Sequence, residues 1–263
     1  MIYKKITKFL PTWFKDILYK NFFALKFFFK NKFLITKNVD LSHGNAQNAF
    51  NFSFKSRQEF FQSCRYYLQY NRVKGVYTEF GCCGANTFRI SLNTLGLYGK
   101  PHDIHHFYAF DSFEGMPEPQ GIDKALMWKK GICKITEKDF IKLLKNDSHR
   151  VTTVKGFYED SLKNFKFPDN TKIAMAYIDC DYYSSTKTVL NFLEKHLSHG
   201  MILAFDDWDC YFADNKRGQR LAFLQWSRKI KRKYVFEEFR RMNSGGNSFI
   251  VQELKKIGTD FRG

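Results

Sequence analysis

Two short apolar runs in the second half of the chain each end in acidic residues. The runs with their acids are Ile173–Ile178 followed by Asp179 and Asp181, and Met201–Phe205 followed by Asp206 and Asp207. Carboxylates held close together repel one another and raise each other's pKa unless a positive charge lies among them. Mg²⁺ and similar hard cations prefer oxygen ligands of this kind. If the two runs are neighbours in the fold, the sequence therefore predicts a divalent metal site.

The elements that would position these acids are buried strands. An apolar run of this length without helical periodicity is typical of a strand covered on both faces, as in a parallel sheet. Ligands of such sheets bind just outside the carboxyl ends of the strands. Two neighbouring strands would therefore bring all four carboxylates to one edge of the sheet.

A strand, a glycine-containing turn and a helix follow one another from Gly75. The segment Gly75–Phe80 leads into Gly-Cys-Cys-Gly at residues 81–84, and a helical pattern continues through Leu95. This order is typical of the first unit of a nucleotide-binding α/β sheet, where glycines allow close backbone approach and the helix N-terminus offers free N–H groups. The spacing is GxxG rather than GxGxxG, so the dinucleotide fingerprint is incomplete.

Acids also follow the second and third predicted strands. The second strand ends at Asp111, where an acid can bind the ribose hydroxyls of a nucleoside cofactor, although Asp111 and Ser112 would also serve as a helix cap. The third, Val151–Gly156, is followed by Glu159 and Asp160, for which capping of a short helix is the favoured interpretation.

The rest of the chain completes an α/β pattern. Lys55–Tyr70 has apolar residues at helical spacing, which predicts a helix covering the sheet, and residues 122–147 also carry helical patterns. Tyr234–Phe239 and Ser248–Val251 flank a turn rich in Asn and Gly and predict an antiparallel hairpin. We therefore predict one α/β domain over residues 51–263, with five parallel strands and a terminal hairpin.

Residues 1–50 differ in composition from that domain. Residues 1–35 mix Phe, Leu, Ile and Trp with lysines, and no apolar window reaches the roughly 20 residues of a spanning helix. The segment predicts either a basic aromatic helix on a membrane surface or, slightly favoured, a helix packed on the catalytic domain or on a second subunit. Asn38–Asn51 is rich in polar residues and turn formers, which is typical of a linker.

Charge and cysteine content restrict the partners and the compartment. The net charge is +17, from 43 Lys and Arg against 26 Asp and Glu. This charge is compatible with a polyanion or an anionic membrane as partner. It is equally compatible with a Lys-rich composition that has no functional meaning. No interleaved basic and aromatic signature of an RNA-binding module occurs, and no nucleic-acid partner is predicted.

The six cysteines form no CxxC pair and no secretory signal is recognisable, which predicts six buried thiols in a reducing cytoplasm.

Four segments carry a resemblance to a known family. They are Tyr108–Pro117, Lys155–Leu162, Ile178–Thr186 and Gly200–Asp207. Together they make the chain similar to the macrocin O-methyltransferase (TylF/MycF-like) family of S-adenosylmethionine-dependent enzymes, over about residues 55–253. The resemblance implies a class I methyltransferase fold, a Rossmann-like seven-stranded sheet with helices on both faces and an antiparallel hairpin at its C-terminus.

The resemblance also implies magnesium-dependent transfer of a methyl group from S-adenosylmethionine to a sugar hydroxyl. The cofactor contacts that it implies are Glu79, Gly81, Gly84, Asp111, Ser112, Gly156, Glu159 and Asp160. The metal would be held by Asp179 or Asp181 together with Asp206 and Asp207. The chain departs from the family at Cys180, where glycine is usual, and in its Gly-Cys-Cys-Gly turn.

Such a reaction needs groups that activate a poor nucleophile. A bound Mg²⁺ lowers the pKa of a sugar hydroxyl and fixes its position, a carboxylate takes the proton, and alignment of the oxygen with the methyl group supplies much of the rate. We therefore expect Asp179, Asp206 and Asp207 as metal ligands and Asp181 as the base or a fourth ligand. Whether Asp179 or Asp181 is the catalytic base stays open, since a strand end can aim either side chain inward.

Other functions account for parts of the sequence. Asp179, Cys180 and Asp181 form a DxD motif after a strand, as in metal-dependent glycosyltransferases, but the second acid pair and the strand–GxxG–helix unit argue against this class. An NAD-dependent oxidoreductase would need GxGxxG, and a basic membrane-binding protein would not depend on the acids. We predict a cytoplasmic O-methyltransferase acting on a small molecule or glycan precursor. Peripheral contact with the inner face of the membrane through residues 1–35, and a homo-oligomer, are further options.

Overall fold

The computed structural model describes residues 45–96, 104–242 and 245–258. Its helices are α1 (Asn45–Tyr70), α2 (Asn86–Leu95), α3 (Glu137–Leu144), α4 (Tyr158–Asn164), α5 (Tyr183–Leu193) and α6 (Gly218–Ile230). Its strands are β1 (Val76–Phe80), β2 (Phe107–Asp111), β3 (Val151–Lys155), β4 (Ile173–Ile178), β5 (Ile202–Phe205), β6 (Tyr234–Arg241) and β7 (Asn247–Glu253). Short 3-10 turns lie at Gly121–Asp123, Lys145–Arg150, Glu194–His196, Tyr211–Ala213 and Leu254–Lys256.

The strands form one seven-stranded sheet in the order β3-β2-β1-β4-β5-β7-β6. The first five strands in this order are parallel, and β7 runs antiparallel to both β5 and β6. The structure therefore confirms the predicted class I methyltransferase fold with its C-terminal hairpin.

Helices cover the two faces of the sheet because its strands are apolar on both sides. On one face, Phe61 of α1, Phe88 of α2 and Phe140 of α3 belong to a single buried cluster. On the other face, buried apolar residues of α4, α5 and α6, such as Leu190 and Phe223, form a second cluster. All six residues of β4 are buried, as the apolar run predicted.

The registers of the central strands place their ends side by side. Phe80 pairs with both Phe110 and Ile178, and Ile178 pairs with Phe205. The residues that follow these four positions therefore leave the sheet at the same edge. This is the edge at which the sequence predicted a binding site.

Three sequence expectations differ from the structure. Helix α1 begins at Asn45, so the last residues of the predicted linker are helical. Of the helical patterns in residues 122–147, only α3 and short 3-10 turns form, because Gly131 and the positive φ angles at Cys133 and Lys145 interrupt the segment. Cys83 and Cys133 are exposed rather than buried.

The predictions for residues 1–44 lie outside the described part of the chain. They include the basic aromatic helix, the first half of the linker and the membrane contact through residues 1–35. Among the described residues, no helix combines the length and apolarity that crossing a bilayer requires.

Candidate active site

A cavity of about 340 Å³ opens at the carboxyl edge of the parallel strands. Residues at the ends of β1, β2, β3, β4 and β5 all contribute to its wall, together with α1 and the loop after β2. The predicted site residues that line it are Gly81, Asp111, Ser112, Gly156, Glu159, Asp179, Asp181, Asp206 and Asp207. Its volume lies at the small end of the range typical of small-molecule sites.

Three carboxylates converge on the β4–β5 side of this cavity. Asp179, Asp181 and Asp207 each offer an oxygen, and these oxygens lie within 4.8 Å of one another. Burial raises the pKa of all three carboxyl groups, and repulsion between neighbouring acids adds to the effect. These carboxyl groups are costly to ionise in such surroundings, and a hard divalent cation, which binds oxygen ligands, would stabilise their charged form. The residues therefore fit the magnesium ion that the sequence predicted.

Backbone contacts hold two of these acids in place. The N–H of Asp181 donates to Oδ2 of Asp207 at 2.9 Å. The buried amide of Gln219 on α6 connects both strand ends, because its Oε1 accepts from the N–H of Asp207 and its Nε2 donates to the carbonyl of Ile178, each at 3.0 Å. The acids are therefore fixed by the sheet and by α6 together.

Asp206 has a different environment from the other three acids. Arg57 on α1 donates from Nε to its Oδ1 at 3.2 Å and from Nη2 to its Oδ2 at 2.6 Å. The hydroxyl of Tyr177 also donates to Oδ1. Both carboxylate oxygens are thus engaged, and the structure does not bring Asp206 into the group with Asp179, Asp181 and Asp207. A cation that recruits Asp206 therefore competes with the Arg57 guanidinium for this carboxylate.

The first glycine of the turn after β1 is required by close packing against β4. Gly81 has a φ of +91°, and a Cβ at this position would lie 1.8 Å from the carbonyl oxygen of Asp179. The turn is thus pressed against the strand end that carries the acids. This close approach places the cofactor side and the acidic side of the cavity next to each other.

Replacing Gly81 by alanine is therefore expected to lower the free energy of unfolding by at least about 3 kcal/mol. Gly84→Ala is the matched control, because a Cβ there would only approach Nδ2 of Asn86 at 3.7 Å. We expect it to change stability by less than about 1 kcal/mol. Urea unfolding of both variants checks the pair, and equal losses would contradict the role assigned to Gly81.

Asp111 connects the β2 end to the same turn. Its Oδ2 accepts from the N–H groups of Cys82 at 2.7 Å and Cys83 at 3.3 Å, and its Oδ1 accepts from the N–H of Phe113 at 2.6 Å. Burial raises the pKa of the Asp111 carboxyl, and these hydrogen bonds oppose the rise. Three of the roughly four lone-pair sites of this carboxylate are thus used, and Oδ1 retains one. Asp111 thus orders the turn and faces the space beside it.

Three predicted cofactor residues are not at the cavity wall. Glu79 is fully buried behind the turn, where it accepts a hydrogen bond from the hydroxyl of Tyr77. Among the described residues, its Oε1 has no hydrogen-bond partner. Gly84 and Asp160 also lie away from the wall, and Asp160 is exposed in the first turn of α4.

Several wall residues were not among the predicted site residues. They are Arg57, Cys83, Met116, Pro117, Trp128, Cys133, Phe157, Tyr158, Cys180 and Ser185. Arg57 lies within a predicted helix whose apolar spacing says nothing about its polar face. Cys83 and Cys133 come from separate loops, and only their exposure at the same cavity distinguishes them from buried thiols.

Comparison with known proteins agrees with this arrangement. The family model described as macrocin-O-methyltransferase (TylF) matches residues 30–223. The solved structure of the O-methyltransferase NovP is 18% identical with a TM-score of 0.57, over 75% of this chain and 80% of that chain. CalS11, a calicheamicin methyltransferase, is 20% identical with a TM-score of 0.54, over 73% of this chain and 77% of that chain. No curated protein sequence matches the chain.

The solved structures share the fold, and the family model covers well over half of the chain. The cavity lies at the carboxyl ends of the parallel strands, where α/β sheets bind their ligands, with a glycine turn and an acid on one side and a carboxylate group on the other. The chain belongs to the macrocin O-methyltransferase family and is an S-adenosylmethionine-dependent O-methyltransferase.

Proposed function

We propose that the protein methylates a hydroxyl of a sugar with the help of a divalent cation, Mg²⁺ by preference. The observation that carries this proposal is the group of Asp179, Asp181 and Asp207, which faces the same cavity as Gly81 and Asp111. A sugar acceptor is supported by the description of CalS11 as a TDP-rhamnose 3'-O-methyltransferase. A glycan precursor is one form in which such a sugar would reach the site.

The two ends of the cavity would have different roles. Gly81, Asp111 and Ser112 would hold the nucleoside part of S-adenosylmethionine, which supplies the methyl group, and Gly156 and Glu159 would lie toward its adenine. Asp179, Asp181 and Asp207 would hold the cation, which lowers the pKa of an acceptor hydroxyl.

A carboxylate of the group would accept the proton of the acceptor hydroxyl. In the metal-free protein, burial and repulsion from neighbouring acids raise the pKa of the Asp181 carboxyl, so this group takes up a proton more readily than an exposed aspartate. Asp179 shares this property, and the choice between the two depends on which one the cation engages. Trp128 and Met116 on the loop after β2 would keep water from the reacting atoms.

Calorimetric titration with S-adenosylhomocysteine, with and without Mg²⁺, tests the cofactor and the metal together. We expect binding without the metal, and turnover of S-adenosylmethionine with nucleotide-linked sugars only when Mg²⁺ is present. Absence of cofactor binding combined with heat from UDP-sugars in Mn²⁺ would instead favour the DxD glycosyltransferase.

The ligand set is tested by comparing two asparagine variants. Asp181→Asn removes a member of the carboxylate group, and we expect it to weaken Mg²⁺ binding by on the order of 100-fold. Asp206→Asn should weaken it by less than about tenfold, because Arg57 already neutralises this carboxylate. Mg²⁺ titrations in the presence of S-adenosylhomocysteine measure both constants. A larger loss in Asp206→Asn would show that Asp206 leaves Arg57 and ligates the metal, as the sequence predicted.

A further inference from the structure

Large apolar side chains project into solvent beside the cavity. Leu126 and Phe212 are fully exposed, at 100% and 104%, and Met127 and Ile122 are exposed by 56% and 41%. We call these four residues the apolar rim. Side chains of this size are normally at least half covered in a folded protein, so a cluster of them indicates a surface that meets an apolar partner.

The two loops that carry the rim residues are joined through Arg217. Arg217 donates from Nη2 to the carbonyls of Ile122 at 2.9 Å and Lys124 at 2.8 Å, and its guanidinium lies 4.7 Å from the ring centre of Tyr211. These contacts join the loop of Leu126 to the loop of Phe212. Trp128, two residues after Leu126, lines the cavity. The loop of Leu126 therefore continues into the wall of the candidate active site.

The backbone around Phe212 shows that its exposure is built into the fold. Tyr211, Phe212 and Ala213 have φ values of 58°, 59° and 55°. Successive left-handed residues other than glycine are rare because each brings its Cβ close to the backbone. Hydrogen bonds from the N–H of Ala213 to the carbonyl of Asp209 and from the N–H of Asp214 to the carbonyl of Tyr211, each 3.1 Å, hold the turn. The turn keeps Phe212 away from the core.

Positive charges surround the rim. Lys124, Lys129, Lys130 and Lys216 are exposed on the same two loops. Asp214 and, earlier on the loop after β2, Glu114 and Glu118 are also exposed, whereas Asp123 is buried. Asp123 accepts from the N–H groups that begin α5 and adds no charge to the surface. Apolar tips within a ring of lysines suit a surface of anionic headgroups over acyl chains.

We propose that the apolar rim docks the protein on an anionic lipid bilayer, with Leu126 and Phe212 inserted and the lysines against the headgroups. The cavity mouth would then face the membrane surface. Docking stands apart from the chemistry of the site. Docking would also suit an acceptor sugar that is carried on a lipid. That additional inference rests on the proposed function. This surface is distinct from residues 1–35.

Co-sedimentation of the full chain with vesicles tests the proposal. The variant Leu126→Ser/Phe212→Ser is compared with wild type on phosphatidylcholine vesicles with and without phosphatidylglycerol. We expect wild type to prefer the anionic vesicles, with a preference that falls at high salt. The variant should bind the anionic vesicles at least about tenfold more weakly, because it lacks the two apolar side chains that would insert into the bilayer.

The matched control is Leu254→Ser/Ile257→Ser, which removes two apolar residues of 41% and 48% exposure after β7, next to Lys255 and Lys256. Its vesicle binding should equal that of wild type, and all three proteins should bind S-adenosylhomocysteine equally if they are folded. Unchanged vesicle binding of the rim variant, or an equal loss in the control, would overturn the proposal. So would a change of oligomeric state in the rim variant without a change in vesicle binding, which would identify the rim as a subunit interface. None of these readouts depends on methyl transfer.

Discussion

Asp179→Asn is expected to lower kcat for methyl transfer by about 10³-fold while S-adenosylhomocysteine affinity stays within about threefold of wild type. Asp179 directly follows β4, and its carboxylate belongs to the group that fits the cation. Asparagine keeps the shape of the side chain but removes the negative charge, so the metal is held less tightly and no carboxylate remains at this position to accept a proton. The measurement is single-turnover methyl transfer with a sugar acceptor that wild type methylates.

The control for Asp179→Asn is Asp169→Asn, which removes the charge of an exposed aspartate in the turn before β4. Its kcat should equal that of wild type. Near-normal kcat in Asp179→Asn at saturating Mg²⁺ would mean that neither proton transfer nor metal binding depends on this residue. A parallel loss of cofactor affinity would instead show that the substitution disturbs the turn at Gly81, which contacts the same backbone.

Asp111→Ala is expected to weaken S-adenosylhomocysteine binding by about 10²-fold or more, because hydrogen bonds to a charged acceptor contribute about 1.5–3 kcal/mol each. The substitution also removes the acceptor for three backbone N–H groups, so part of the loss comes from the turn itself. Calorimetry on wild type and variant measures the total effect.

A ligand without ribose hydroxyls separates the two contributions to the Asp111 effect. The ratio of affinities for adenosine and 2′,3′-dideoxyadenosine is compared in wild type and in Asp111→Ala. If Asp111 binds the ribose, the hydroxyls should improve affinity in wild type and have almost no effect in the variant. The same ratio in both proteins would leave Asp111 with a purely structural role.

Ser112→Ala is a milder neighbouring change, since the Ser112 hydroxyl donates to the Gly115 carbonyl at 2.8 Å.

The sheet could be predicted because its signals are local and physically strong. Short apolar runs without helical period, each ended by acids or glycine, are typical of central strands buried on both faces. The turn between β6 and β7 likewise has the Asn and Gly content that hairpins need. The edge that carries Asp111, Asp179 and Asp206 followed from the rule that ligands of such sheets bind at the carboxyl ends of the parallel strands.

The side-chain directions within the site could not be predicted. Asp181 has a φ of 55°, in the left-handed region, and its N–H donates to the Asp207 carboxylate. This local turn brings Asp181 into the carboxylate group. Neither the residue types of the segment nor their spacing predicts the turn. Asp206 is paired with Arg57, which lies 149 positions earlier in the chain, and does not join the carboxylate group. Long-range pairing of this kind has no periodic signature.

The cysteines show the same limit. Cys83 and Cys133 were expected to be buried, as thiols generally are. Both are exposed at the cavity, and both have positive φ values, 36° and 61°. Their exposure results from the tight turns in which they lie, whereas Cys64, in the middle of α1, is buried as expected.

The ion pair between Arg57 and Asp206 links the active site thermodynamically to the beginning of α1. Arg57 lies in the first half of this helix, which is continuous from Asn45, and its Nη1 also donates to Ser53 one turn earlier. A cation that recruits Asp206 competes with Arg57 for this carboxylate, and this competition weakens the contact that attaches the turns of α1 around Arg57 to the edge of the sheet. By reciprocity, any partner that holds those turns in place opposes cation binding at Asp206 by the same free energy. Metal affinity would then report on what the amino-terminal part of the protein is bound to.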